Sequence, residues 1–148
     1  MRRIYISIIL IVLYCSNIFG QTKIITGKII DEFDLKPLWG MRIESLDGKI
    51  LSETDSLGRF KIEMPITETS LKISGVGFEW CKVNFSDNCM HLEITMMYAG
   101  TYDFISLKKA NRLLMKRVRK IPAAHLTAYK NGTFRKSQPC FEQVFPQD

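Results

Sequence analysis

Between Thr22 and Met97 the chain is written in short runs in which apolar and polar residues alternate, each run cut off by turn residues. In residues 59–64, Phe60, Ile62 and Met64 fall on one side, while Arg59, Lys61 and Glu63 fall on the other. A period of two is the period of a strand with one buried face, and a helix cannot reproduce it. Pro65 closes this run, because proline cannot continue a central ladder. The same grammar gives strands over 22–31, 39–46, 49–54, 71–74, 78–85 and 91–97. Asp47 and Gly48 form a strong hairpin signal between the second and third of the seven, and Gly75 and Gly77 mark a bend before the sixth. Regularly spaced short strands with turns between them predict an all-β sandwich or barrel.

The period changes after Tyr98. Phe104, Leu107, Asn111, Leu114, Val118 and Ile121 recur every three or four residues, which predicts one face of a helix packed against the sandwich. Its other faces carry Lys108, Lys109, Arg112, Lys116, Arg117, Arg119 and Lys120 with no acidic residue among them. Pro122 is expected to end the helix, and Thr133, Phe134 and Arg135 to start a short strand after the Asn131, Gly132 turn. Charge divides accordingly. Residues 21–97 hold nine Lys/Arg against twelve Asp/Glu, whereas residues 98–148 hold ten against three. The basic character therefore belongs to the tail, where any anionic partner would be met.

Residues 1–20 read as a secretory signal peptide: Arg2 and Arg3, an apolar run over 4–13, and Gly20 before a cleavage point at Gln21. The run is shorter than the roughly 20 residues of a membrane span. An uncleaved anchor is the alternative, and large Tyr14 argues against lipidation at Cys15. Cleavage leaves Cys81, Cys89 and Cys140 in an exported chain, hence at least one thiol without an intrachain partner. The expected organisation is a signal peptide over 1–20, a sandwich over 21–98, and a basic helix and tail over 99–148.

Four blocks in order carry a family resemblance. They are Gly27, Ile29 and Asp31; Pro37, Leu38, Gly40 and Ile43; Thr54, Asp55, Gly58, Phe60 and Ile62; and Leu71, Ser74, Gly77 and Phe78. Together they resemble the carboxypeptidase regulatory-like domain of Gram-negative envelope proteins, over about half the chain. The resemblance implies a seven-stranded Greek-key, transthyretin-like sandwich that is not itself catalytic. Such domains commonly precede a larger envelope protein, including outer-membrane transporters. Asp55 is suited to capping a turn, Gly58 to a positive φ, Phe60 to the core, and Gly40 to a close approach of strands.

Chemistry is sparse. There are two histidines, His91 and His125, and no phosphate loop, nucleophile elbow or zinc-protease motif. Alternation puts Cys89, His91 and Glu93 on one face of the last strand, read as an exposed polar face, with Leu92, Ile94 and Met96 inward. Successive members stand about 6–7 Å apart, too far for a triad. Zinc would need a further ligand from the tail. Asp31, Glu32 and Asp34 lack calcium-loop spacing and read as a solvated loop. The same parity places Cys81 inward and makes Cys89 with Cys140 the better disulfide pair. No cofactor is expected.

The expected function is a non-catalytic, exported interaction or structural module of the cell envelope, in the periplasm or at the outer membrane. Its candidate surfaces are a sheet edge, a loop end, Trp80 on the outer face, and the basic tail. An envelope protein is the expected partner, with an anionic membrane surface as a further one for the tail helix; nucleic acid is a poor fit to an exported chain. The alternative is a carbohydrate- or peptide-binding accessory of an envelope enzyme or transporter system, with Trp39 or Trp80 as platform. A small enzyme has no supporting constellation. Oligomeric state stays open.

Overall fold

The computed structural model describes residues 21–101 and 104–146, so the signal-peptide reading and Cys15 lie outside the described residues. Among the described residues, eight strands and two helices follow in the order β1 (Thr22–Asp31), β2 (Arg42–Glu44), β3 (Ile50–Glu53), β4 (Arg59–Pro65), β5 (Ser70–Ser74), β6 (Cys81–Phe85), β7 (His91–Met96), α1 (Leu107–Val118), α2 (Ile121–Lys130) and β8 (Phe141–Val144). They form two sheets, ordered β4-β1-β7 and β3-β2-β5-β6-β8. Strand β1 runs antiparallel to β4 and parallel to β7. The second sheet is antiparallel throughout.

Alternation decides which side chains meet. Phe60, Ile62 and Met64 of β4, Leu71 and Ile73 of β5, Cys81, Val83 and Phe85 of β6, and Leu92, Ile94 and Met96 of β7 all enter one core. Full burial of each large aliphatic side chain contributes about 1.5–3 kcal/mol relative to exposure. Central β1 passes Gly27 between Phe60 and Leu92, its register partners. A Cβ there would sit 2.4 Å from Leu92 O and from the Phe60 ring, so the glycine makes room for the ring to fold over β1.

The tail belts the two sheets together. Leu114 and Ile121 are buried in the main core, with Val118 packed against it. Helix α2 packs by the outer face of the smaller sheet, where Ala128 and Phe134 join Ile30 and Leu35 in a second cluster. The chain then returns as β8 and pairs with β6, Phe141 opposite Phe85 and Val144 opposite Lys82. Gln143 reaches across to donate from Nε2 to Thr95 O of β7 (2.9 Å). Cys140, just before β8, is disulfide-bonded to Cys89, just before β7 (S–S 2.00 Å).

Several expectations are corrected. The second and sixth strands are shorter than 39–46 and 78–85, leaving Trp39 and Trp80 in loops. Gly40 serves a positive φ (72°), not a close approach, since nothing lies within 4 Å of a Cβ placed there. Pro122 starts a second helix instead of ending the first, because its missing N–H falls in the first turn, where no intrahelical partner exists. Thr133–Arg135 forms bends and no strand; the tail strand is β8, an eighth strand. Phe104 and Leu107 are exposed, so the packed stripe begins further along. The Cys89, His91, Glu93 face is covered by the tail, with Glu93 buried and Cys89 fully so.

Candidate functional site

Strands β1, β3, β5 and β7 end, and β2, β4 and β6 begin, at one end of the sandwich. Four loops meet there, and their backbones are held by buried Asp31 and Thr54 and by exposed Asp55. Asp31 accepts hydrogen bonds from the N–H groups of Phe33 (2.8 Å), Asp34 (2.7 Å) and Lys36 (2.9 Å). Asp55 accepts from Leu57 (2.9 Å) and Arg59 (2.8 Å), closing the turn that Gly58 makes at φ 70°. Thr54 Oγ1 donates to Leu38 O (2.6 Å) and accepts from Met41 N–H (2.9 Å), which ties two of the loops together. Pro37 bridges to Ile30.

These fixed loops display large apolar side chains to solvent. Phe33, Trp39, Leu57, Val76, Trp80 and Tyr98 range from 41% exposed at Tyr98 to 100% at Val76. Tyr98 stacks between Phe33 (5.8 Å) and Phe78 (4.6 Å), giving a short aromatic ladder. Lys72 Nζ lies 5.5 Å from the Trp80 ring centre and bonds Glu44 at 3.1 Å. Ser74, and then Lys72, hold the Glu44 carboxyl below its usual range against the opposing effect of burial.

The candidate residues of the tail separate into two groups. Arg117 turns inward and pairs with Glu32, also donating to Tyr98 O (2.7 Å), so it is a staple between α1 and the loop end. Lys108, Lys109, Arg112, Lys116, Arg119 and Lys120 are exposed. Trp80 and α1, widely separated in sequence, come together: Trp80, Glu79, Leu107, Asn111 and Pro146 border one recess of about 280 Å3. A second recess of about 240 Å3, mostly apolar, lies between the helix corner (Val118, Ile121, His125) and β8 (Phe141, Gln143). Sequence reasoning missed this recess because it missed α2 and β8. Residues 141–144 read apolar, polar, polar, apolar, so β8 carries no period-two signal by which it could have been found.

The polar set on β7 is occupied by structural partners. Cys89 is in the disulfide, and the two carboxylate oxygens of Glu93 accept from the backbone N–H groups of Arg135 (2.6 Å) and Lys136 (3.1 Å). His91 Nδ1 contacts Thr26 Oγ1 at 2.9 Å and Nε2 lies 3.7 Å from Glu93. Cys81 is fully buried, and burial pushes its thiol up to about 12. Among the described residues, no group of three or more His, Cys, Asp or Glu side chains is arranged to hold a metal ion. The His125 ring packs at a tilt of 47° against Phe134 (centroids 4.8 Å) and its Nε2 contacts Lys136 O (3.0 Å), a core role.

No family model matches the chain, and no curated protein matches it. Among solved structures it is similar to a chain of the cryo-EM structure of the E. coli P pilus tip assembly intermediate PapC-PapD-PapK-PapG in the second conformation. The identity is 14% and the TM-score 0.39, over 55% of this chain and 10% of that chain. The likeness thus spans a tenth of the other chain's length. Among the described residues, no helix is long and apolar enough to cross a membrane.

Proposed function

We propose that this chain is a non-catalytic, exported interaction module of the cell envelope, a sandwich of the carboxypeptidase regulatory-like kind that docks a protein partner through its loop end. The observation that carries this reading is the set of exposed side chains there, Phe33, Trp39, Leu57, Val76, Trp80 and Tyr98, on loops fixed by Asp31, Thr54 and Asp55. Scattered single apolar residues are ordinary on a surface; aromatic anchors gathered on rigid loops are what partner-binding ends use. The position of Trp39, outside any strand and 79% exposed, has no packing role to explain it.

The test is site-specific photocrosslinking in exporting cells, with the crosslinker at Trp39 or Val76 and, as control, at exposed Lys61 on β4. One envelope protein captured from the loop end and not from Lys61 is the expected outcome. Equal labelling at all three positions, or none, removes the reading. A truncation after Met97 is the wrong comparison, because it also strips Leu114, Ile121 and Phe145 from the core.

A carbohydrate- or peptide-binding accessory is the second reading, favoured by the recess beside Trp80. A fluorescence titration of a Trp39→Phe variant, which isolates Trp80, with envelope glycans and peptides tests it directly.

A further inference from the structure

Helix α1 is held against the body by Leu114 and Val118 on its inner side and by the Arg117 pair with Glu32. That fixes which face looks outward. Lys108, Arg112, Lys116 and Arg119 follow one another at spacings of three and four residues along this outer face, with Lys109 and Lys120 beside them. At 1.5 Å per residue the row is about 18 Å long. No carboxylate of the described residues forms an ion pair with any of these six side chains. Neither helix contains an acidic residue, whereas residues 21–97 carry more acidic than basic ones, so the molecule is a charge dipole with α1 at its positive pole.

Apolar side chains project beside this row. Phe104 is fully exposed on a left-handed backbone (φ 64°), a conformation that an aromatic residue adopts only at a cost. Leu113, 41% exposed, borders the row beside Lys109 and Lys116, whereas Leu107, seven residues before buried Leu114, lies on the inner stripe and borders the recess with Trp80. Cations along a helix face with protruding apolar neighbours match the headgroup layer of an anionic bilayer: lysine and arginine meet the phosphates, and the apolar tips enter between them. A soluble acidic protein would complement the charges but leave exposed Phe104 and Leu113 unexplained.

We propose that the outer face of α1, with Phe104 ahead of it in the chain and Leu113 at its edge, is a peripheral docking surface for anionic lipid headgroups. It is separate from the loop-end reading and presents the module from a membrane surface without crossing it.

The test is co-sedimentation of residues 21–148, which keep every buried core residue, with vesicles of phosphatidylcholine alone or rich in phosphatidylglycerol. Binding to the anionic vesicles only, weakening steeply with salt, is expected. Each cation removed from the set Lys108→Gln, Lys109→Gln, Arg112→Gln and Lys116→Gln weakens partitioning about five-fold. Phe104→Ala with Leu113→Ala weakens it at unchanged charge, and circular dichroism confirms that the variants fold. Equal binding to both vesicle types, no binding to either, or insensitivity to the four substitutions overturns the proposal. So does retention on a soluble polyanion without vesicle binding, which assigns the face to a soluble acidic partner. Salt titration of the unmodified protein tests the electrostatic part even if the quadruple variant fails to fold, and the crosslinks at Trp39 and Val76 report separately on the loop end.

Discussion

The carboxylate of Glu93 on β7 receives two consecutive backbone N–H groups, those of Arg135 (2.6 Å) and Lys136 (3.1 Å), from a segment 42 and 43 residues further along the chain. A buried side chain of the last sandwich strand thereby organises the turn that leads to the disulfide and to β8. Removing it strands two amides and the tail's anchor together. Hydrogen bonds to a charged group contribute about 1.5–3 kcal/mol each, so Glu93→Ala is expected to lose about 3 kcal/mol in urea unfolding. Exposed Glu63→Ala should stay within about 0.5 kcal/mol of the parent. Equal losses would remove the special role of Glu93.

The Cys89–Cys140 bond closes a loop with a sequence separation of 51 residues. In the chain-entropy account a loop of that size is worth about 4 kcal/mol, and typical measured values are about 2–4 kcal/mol. Guanidinium unfolding with and without reductant should show a difference in that range, and Cys89→Ala with Cys140→Ala should abolish the reductant effect. Cys81, buried and held near 12, should resist thiol reagents until the protein unfolds. Rapid labelling of the native, non-reduced protein would contradict its placement in the core.

Gly40 and Gly58 share nearly the same backbone angle, φ 72° and 70°, in different surroundings. A Cβ on Gly40 meets nothing within 4 Å, whereas one on Gly58 lies 2.4 Å from Ile29 O of β1. Gly40→Ala should therefore cost about 1–2 kcal/mol, the left-handed backbone penalty alone. Gly58→Ala should cost clearly more, by the further 1–3 kcal/mol of a forced backbone shift. Thermal unfolding of the pair measures the difference; similar losses would mean that the Gly58 turn is not held against β1.

Burial holds the His91 imidazole below its ordinary value of 6.5; Glu93 opposes this, and Arg135 and Lys136 add to it. The fold thus favours the neutral ring, and the unfolded chain takes up the proton first as pH falls. The contribution is full above about pH 6.5 and is lost as pH drops toward the folded pKa. Stability should decline as pH falls below about 6.5, and His91→Gln should flatten that decline. Glu44, also held low, acts in the same direction but only as pH falls below about 4.5. An identical pH profile for the parent and the His91→Gln variant would contradict this assignment.

Much of the sandwich was legible because strand alternation is local. Phe60, Ile62 and Met64 name their own shared face, and Asp55 with Gly58 names its own turn. The loop end was legible only in part: Trp80 stood out as an outward aromatic, but nothing nearby in sequence says that Phe33, Val76 and Tyr98 share its end of the molecule. Among the basic residues, alternation and spacing alone did not separate Arg117 from its neighbours, since its inward turn depends on meeting Glu32.

The sequence by itself determined the strand-forming segments between residues 22 and 97, the basic character of the tail and the inner stripe of α1, because each is a short-range pattern of hydrophobicity and charge. The tertiary structure decided what covers the second face of β7. Cys89, His91 and Glu93 alternate like a solvent face, and they are covered because α2, the 134–136 segment and Cys140 come back over them. A strand's own residues fix which of its side chains point the same way; whether that side meets water or protein depends on where a segment some forty residues later comes to rest.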